Sequence, residues 1–313
     1  MRRLLTGLAL FALAAPAVRA LEIDPPGRPN EDCYVIREKI ESREWPIEKR
    51  FDYFGHYNPA IRRMAAFSLM REGEKAMPFI LKALQATDVR VIRSGCDALT
   101  GPFGIAPRQR KELRAVMTPD VAAKAVPYLA RLLEHEDMYV REGAMLALSN
   151  CGKAAAPLLD KVVPFLDDDE WWLRNAAAHV LRGVGPPEAD RYAEKLARVF
   201  RTEPSTYPRN RMREAAVRLA EGAQRDAVIR LVAQDAERRE RGYHRTSLLE
   251  LFKALGPKAS AALPTIEKLM TREKALLGRE KNEKTRAAIE REVAYLERLR
   301  ARVAPPPPKR PST

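Results

Sequence analysis

The stretch Met138-Tyr139-Val140-Arg141-Glu142-Gly143-Ala144-Met145-Leu146-Ala147-Leu148-Ser149-Asn150-Cys151-Gly152-Lys153-Ala154-Ala155-Ala156-Pro157-Leu158-Leu159 decides the fold of this chain. Small and apolar residues follow one another from Gly143 to Leu148, and Asp137 stands ahead of Val140-Arg141, where a carboxylate can cap free helix amides. Gly152 marks the stop, because glycine tolerates the left-handed turn past a helix end, and Pro157 is pre-set for the first turn of the next helix. The stretch reads as helix, short turn, helix.

The unit recurs. An apolar or aromatic residue followed by Arg opens Ile61-Arg62 to Leu69, Ile92-Arg93 to Leu99, Leu173-Arg174 to Leu181 and His244-Arg245 to Phe252, with Met212-Arg213 to Ala220 as a weaker copy. The Arg anchors stand 31, 48, 33, 39 and 32 residues apart, and the two long spacings mark insertions. Gly-then-Pro joints recur at Gly73 to Pro78, at Gly256-Pro257 through Pro264 and, after an insertion, at Ala125-Val126-Pro127. Asp88, Asp137 and Asp167-Asp168-Asp169 precede the next anchors. One helical hairpin cannot bury its apolar stripe alone, whereas stacked hairpins share a core and expose an extended face. The expected fold is all-α: a right-handed α-solenoid of about six helical hairpins with N- and C-terminal caps. Composition agrees, because 46% hydrophobic residues with only 7% aromatics favour helices over a β-sandwich or barrel.

These residues resemble the HEAT-repeat family, in the form where an Asp-rich turn leads to Val-Arg-x-x-Ala-x-x-Ala-Leu, and Met138 to Leu148 is the nearest copy. The resemblance covers roughly residues 45 to 270. Tetratricopeptide and ankyrin signatures are absent from the sequence. In the family the Arg and the turn Asp form a ladder between repeats, which the resemblance carries to Arg62, Arg141 and Arg174 with Asp137 and Asp169. Arg213 and Arg245 lack a matching Asp just upstream. Armadillo-like arrays of this kind serve scaffolding, transport and nucleic-acid binding, and a few are enzymes, among them relatives of bilin lyases.

Residues 1–20 are expected to be a signal peptide: Arg2-Arg3, an apolar run from Leu4 to Val18 and a small residue at Ala20. An uncleaved anchor is the alternative. Cleavage near Ala20 places the chain outside the cytoplasm, periplasmic or secreted, with no membrane span in the mature chain. Loss of Arg2, Arg3 and Arg19 lowers the formal charge from +14 to +11, a basic excess that favours anionic partners. Residues 21–57 form an N-terminal cap with a helix from Glu31 to Arg43 and an aromatic cluster of Trp45, Phe51, Tyr53, Phe54 and Tyr57, read either as cap core or as a stacking platform. Residues 58–270 are the repeat array, with insertions near 101–119 and 200–213. Residues 271–303 are a capping helix or pair of helices broken near Gly278, with the stripe Ile289, Val293, Leu296, Leu299 and Val303. Residues 304–313 are a Pro-rich, disordered tail. Cys33, Cys96 and Cys151 are an odd count that supports no disulfide framework, and Cys96 is expected to be a buried thiol.

Partner-binding residues are sought in the basic insertions, because loops on a rigid scaffold vary most freely. The candidates are Arg108, Arg110, Lys111 and Arg114; Arg209 and Arg211, beside Arg201, Tyr207 and Arg213; Arg238, Arg239 and Arg241; and the pair Trp171-Trp172. The plainer reading makes these joints solvated, with Arg paired to nearby Glu and the indoles in the core. No catalytic, cofactor-binding or metal residue is assigned: His56, His135, His179 and His244 are scattered, and there is no Gly-rich phosphate loop, nucleophile elbow or Cys-x-x-Cys. The expectation is a non-enzymatic exported scaffold for another protein, with no cofactor and no small-molecule substrate. A binder of polyanions such as nucleic acid or acidic polysaccharide is the alternative, and an enzyme akin to the repeat-containing lyases is third.

Overall fold

The computed structural model describes residues 33–100, 118–203, 206–239 and 242–305. The expected signal peptide, the start of the N-terminal cap, residues 101–117 and the tail after Pro305 lie outside them. All regular structure among the described residues is helical. In chain order the helices are α1 (Cys33–Glu41), α2 (Ile47–Phe51), α3 (Pro59–Met70), α4 (Met77–Ala83), α5 (Val89–Thr100), α6 (Pro119–Ala123), α7 (Val126–Leu132) and α8 (Met138–Asn150). They continue as α9 (Leu159–Val162), α10 (Trp171–Val184), α11 (Ala193–Thr202), α12 (Thr206–Leu219), α13 (Gly222–Arg238), α14 (Tyr243–Leu255), α15 (Leu263–Leu277) and α16 (Glu283–Val303).

The helices fall into two layers. The anchor-bearing helices α3, α5, α8, α10 and α12 pack side by side in that order. Against them lie the second helices of each hairpin, α4, α7, α9 with the 3-10 turn to Asp167, and α11. From α11 the second layer runs on through α13 to α15, while α14 packs on α16. The core lies between the layers, where Leu69, Ile80, Leu99, Leu129, Leu148, Leu166, Leu181, Phe200 and Phe252 are shut off from solvent. Full burial of such side chains stabilises by about 1.5–3 kcal/mol each, which is what propensity alone cannot supply to helices this short. At the N-terminal end Phe51, Tyr53 and Phe54 are buried and Trp45 stacks on Tyr53 at 5.2 Å, so the aromatic cluster is cap core, with Tyr57 at its exposed edge.

The turn after three of the anchor helices, α3, α8 and α14, takes a residue with positive φ, and glycine supplies it each time: Gly73 at 57°, Gly152 at 56° and Gly256 at 57°. The joints ahead of α3, α8 and α10 are held differently from the expected ladder. The Arg141 guanidinium donates to the carbonyls of His135 and Glu136, both at 2.8 Å. Arg62 donates to His56 and Tyr57 carbonyls at 2.7 and 3.0 Å, and Arg174 to Asp168 and Asp169 carbonyls at 2.6 and 2.7 Å. The Asp137 carboxylate is engaged elsewhere, accepting the amides of Tyr139 and Val140 at 2.8 and 3.0 Å as the helix cap. Asp169 contributes its carbonyl to the clamp rather than its carboxylate. In each case one terminal guanidinium nitrogen donates to two successive carbonyls of the turn, while the free amides at the helix start claim the acid. The Arg–Asp ladder is therefore replaced by an arginine clamp on the backbone. Between repeats, Asn150 of α8 donates to the carbonyls of Leu99 and Thr100 at 2.8 and 2.9 Å, closing the end of α5.

Two anchors shift. α5 starts one residue after Asp88, as α8 starts one residue after Asp137, so Ile92 and not Arg93 stands where Arg141 stands. Asp88 takes the amide of Arg90 and its guanidinium, and Arg93 lies over the Tyr139 ring at 4.9 Å. In the stretch expected as a second insertion, α11 runs to Thr202 and α12 begins at Thr206. The extra length goes largely into helix, and Arg209, not Arg213, donates to the carbonyl six residues back, that of Glu203, at 2.6 Å.

Arg141→Ala removes two charge-assisted hydrogen bonds and is expected to destabilise the array by about 2–3 kcal/mol. Both hydrogen bonds come from one terminal guanidinium nitrogen, so Arg141→Lys, whose ammonium also offers several donors, should recover about half of the loss, the rest going to its shorter reach and stronger hydration. Urea unfolding of the three chains decides it, and a loss below about 0.5 kcal/mol for Arg141→Ala would show that the clamp is ornamental.

Candidate functional site: a cationic cleft at the C-terminal end

A cleft of about 660 Å³ opens where α13, α14, α15 and α16 meet. Arg238 and Arg239 come from the end of α13, Arg245 from α14, Arg272, Glu273 and Leu276 from α15, and Lys284, Thr285 and Ala288 from α16. Local rules place them. α13 stops where Arg239 turns extended, leaving carbonyls without intrahelical donors. Arg272 reaches across from α15 and donates to the carbonyls of Glu237 and Arg239 at 3.2 and 3.4 Å. Asn282 caps α16 by accepting the Thr285 amide at 3.0 Å, which fixes Lys284 and Thr285 on the first turn.

The floor is a buried ion cluster. Arg245 and Glu273 are each 1% exposed and joined at 3.0 Å, and the second guanidinium nitrogen of Arg245 meets Glu292 at 2.7 Å. Arg239 is bidentate on Asp235, at 3.1 and 3.3 Å. The mouth differs from the floor. Arg238 and Lys284 are exposed and form no ion pair with a described residue, and Arg272 is 3.8 Å from a Glu273 carboxylate already committed to Arg245. Five cations thus face the cleft against Glu273, Glu292 and Asp235, so its opening carries a positive excess. One wall is apolar, formed by Ala288 and by Leu276, which is 42% exposed.

Of the residues singled out in the sequence, Arg238 and Arg239 come together here, while Arg241 lies outside the described residues. So do Arg108, Arg110, Lys111 and Arg114; the side chain of Arg211 is likewise not described. Arg209 serves the joint ahead of α12. Arg213 is buried and donates to Ser247 of α14 at 3.2 Å; burial lowers its pKa to about 10 against the pull of Asp235. It links two helices and offers no surface. Trp171 and Trp172 stack on one another with ring centroids 3.5 Å apart, Trp172 exposed, on α10 and so on a different element from the cleft. Arg272 and Lys284 escape a reading by sequence, because they sit on what looks like a plain capping hairpin and only its folding back brings them to α13. Cys33, Cys96 and Cys151 are free, and burial pushes the Cys151 thiol up to about 12. Among the described residues no group of three His, Cys, Asp or Glu side chains is placed to hold a metal ion, and no helix is long and apolar enough to cross a membrane.

Comparison with known proteins bears on the fold. Residues 118–182 match the family model described as HEAT repeats. No curated protein matches the chain. Among solved structures, an archaeal HEAT-like repeats protein from Thermococcus onnurineus NA1 is 14% identical, with 85% of this chain and 97% of that chain covered and a TM-score of 0.45. The complex of CpcE and CpcF of phycocyanin lyase from Nostoc sp. PCC7120 is 18% identical over 83% of this chain and 95% of that one, with a TM-score of 0.42. Computationally designed armadillo repeat proteins for modular peptide recognition are 16% identical over 81% and 99%, with a TM-score of 0.36. Likeness at that level concerns the arrangement of helices and carries nothing about chemistry. The two-layer stack of hairpins makes the described chain an α-solenoid, and the match to HEAT repeats covers its α6 to α10.

Proposed function

We propose that this chain is a non-catalytic scaffold that is exported from the cytoplasm and binds another protein on its solenoid surface. The observation that carries the reading is the cleft at the C-terminal end: an open recess whose mouth carries the exposed Arg238 and Lys284, neither ion-paired with a described residue, beside the apolar Leu276 and Ala288. Rigid repeat arrays present such surfaces without moving, so a partner loses little to reorganisation. The layout of residues 1–20 supports export.

Affinity capture of the native chain from an envelope or secreted fraction under mild salt tests the binding. A protein partner in near-equal amount is the expected result, and repeated recovery of the chain alone counts against it. The formal charge of +14 favours a second reading, binding of a polyanion such as nucleic acid or acidic polysaccharide. Binding of that kind weakens steeply with salt through counterion release, whereas a protein interface with an apolar wall loses much less. A mature start at Leu21 in an exported fraction favours the scaffold, and an intact Met1 in the cytoplasm favours nucleic acid.

A further inference from the structure

We infer that the cleft between α13, α15 and α16 is a docking pocket for an acidic segment of the partner protein, in which a carboxylate stands beside an apolar side chain; this rests on the scaffold reading above. Five cations against three paired acids leave an excess of two positive charges, which suits a short acidic segment better than a long polyanion. Arg238 reaches the cleft from the end of α13 and Lys284 from the first turn of α16, while Arg272 is tied to the carbonyls that end α13. A carboxylate entering there meets the exposed Arg238 guanidinium and Lys284 ammonium, and pairing with Arg is stronger and more directional than pairing with a hydrated ammonium. The floor then sets a limit. Arg245 is already paired with Glu273 and Glu292, and Arg239 with Asp235, so a dense run of phosphates going deeper would meet the Glu273 carboxylate and gain little from these two cations.

The wall supplies the second half of the recognition. Leu276 is one of few large apolar side chains left 42% exposed, and it faces the same cleft as Ala288. An aliphatic side chain next to the carboxylate would cover it, whereas a sugar-phosphate chain has nothing to place there. A volume near 660 Å³ accommodates a few residues of extended peptide. Acid and apolar group together match a peptide, and neither alone matches the whole cleft.

The test uses the full chain and four fluorescent probes: a short peptide alternating Leu and Glu, the same peptide with Gln for Glu, the same with Ser for Leu, and a short oligothymidylate. The Leu/Glu peptide should bind, with each altered peptide weaker by about tenfold. The double variant Arg238→Glu with Lys284→Glu changes two exposed side chains that have no ion pair with a described residue. It should keep the helical spectrum and weaken the Leu/Glu peptide about a hundredfold. Leu276→Ser should weaken it about fivefold. No binding of the Leu/Glu peptide, equal binding of the Gln form, an unchanged affinity of the double variant, or tighter binding of oligothymidylate would each overturn the inference. The scaffold reading fails separately: if the native chain captures no protein it falls, and if the charge-reversed chain captures the same partner undiminished, only the cleft assignment falls.

Discussion

Replacing Arg245 with Met is expected to cost about 4 kcal/mol and to loosen the C-terminal end of the array before the rest. Arg245 is 1% exposed and is the cation shared by Glu273, also 1% exposed, and Glu292. Removing it strands two carboxylates, one fully buried, and leaving a buried charge uncompensated costs about 3–5 kcal/mol. Arg272 stands 3.8 Å from Glu273 and is exposed, so it offsets only part of that. In a stack of repeats each unit is held by its neighbours, so the loss should appear as faster hydrogen exchange in α15 and α16 rather than as uniform softening. The double variant Arg245→Met with Glu273→Leu should recover most of the stability, since a buried pair exchanged for apolar side chains of similar size is often neutral. Chemical unfolding of the two variants separates the outcomes: equal loss in both would mean that packing of the Arg245 stem, and not charge, governs the site.

Gly183→Ala is expected to destabilise by about 3 kcal/mol, although helix propensity alone would favour Ala by about 1 kcal/mol. The two effects have opposite signs, and geometry decides between them. A Cβ on Gly183 would stand 2.0 Å from the Ser149 carbonyl oxygen and 2.9 Å from its Cα. Both are backbone atoms of α8, which cannot rotate aside as a side chain would, so α8 and α10 would have to move apart along the seam between two repeats. Gly143 is the contrast within the same layer, because its Cβ would meet only the Cys96 side chain at 3.1 Å. Gly143→Ala should therefore lie within about 1 kcal/mol of the parent. Thermal or urea unfolding of both chains checks the pair, and a Gly183→Ala chain as stable as the parent would contradict the close approach.

The solenoid is legible in the sequence because its punctuation is local. Glycine past a helix end, proline at the next start and an acid before the anchor each act within a few residues, and Asp137, Gly152 and Pro127 all do what their positions suggest. The partners of the anchors are less legible. An Arg next to an Asp-rich turn can meet either carboxylate or carbonyl, and only the helix start, which commits Asp137 to amides, settles which. Ile92-Arg93 offers an arginine one residue out of register, and nothing nearer than the start of α5 reveals the slip. The cleft is the least legible part. Its cations come from four helices spread from Arg238 to Lys284, and the pair Arg238-Arg239 looks no different from other basic joints. Charge along a chain says little until the fold decides which arginines already have partners.

The most direct test of the account is the composition of the complex that the native chain forms where it resides. The chain is crosslinked gently in intact cells, purified under denaturing conditions, and its bound material and N-terminus are identified and quantified. The account predicts a mature start at Leu21 and one protein in near-equal amount, reduced at least tenfold by Arg238→Glu with Lys284→Glu. A chain that begins at Met1 and carries nucleic acid or polysaccharide in place of a protein would contradict it.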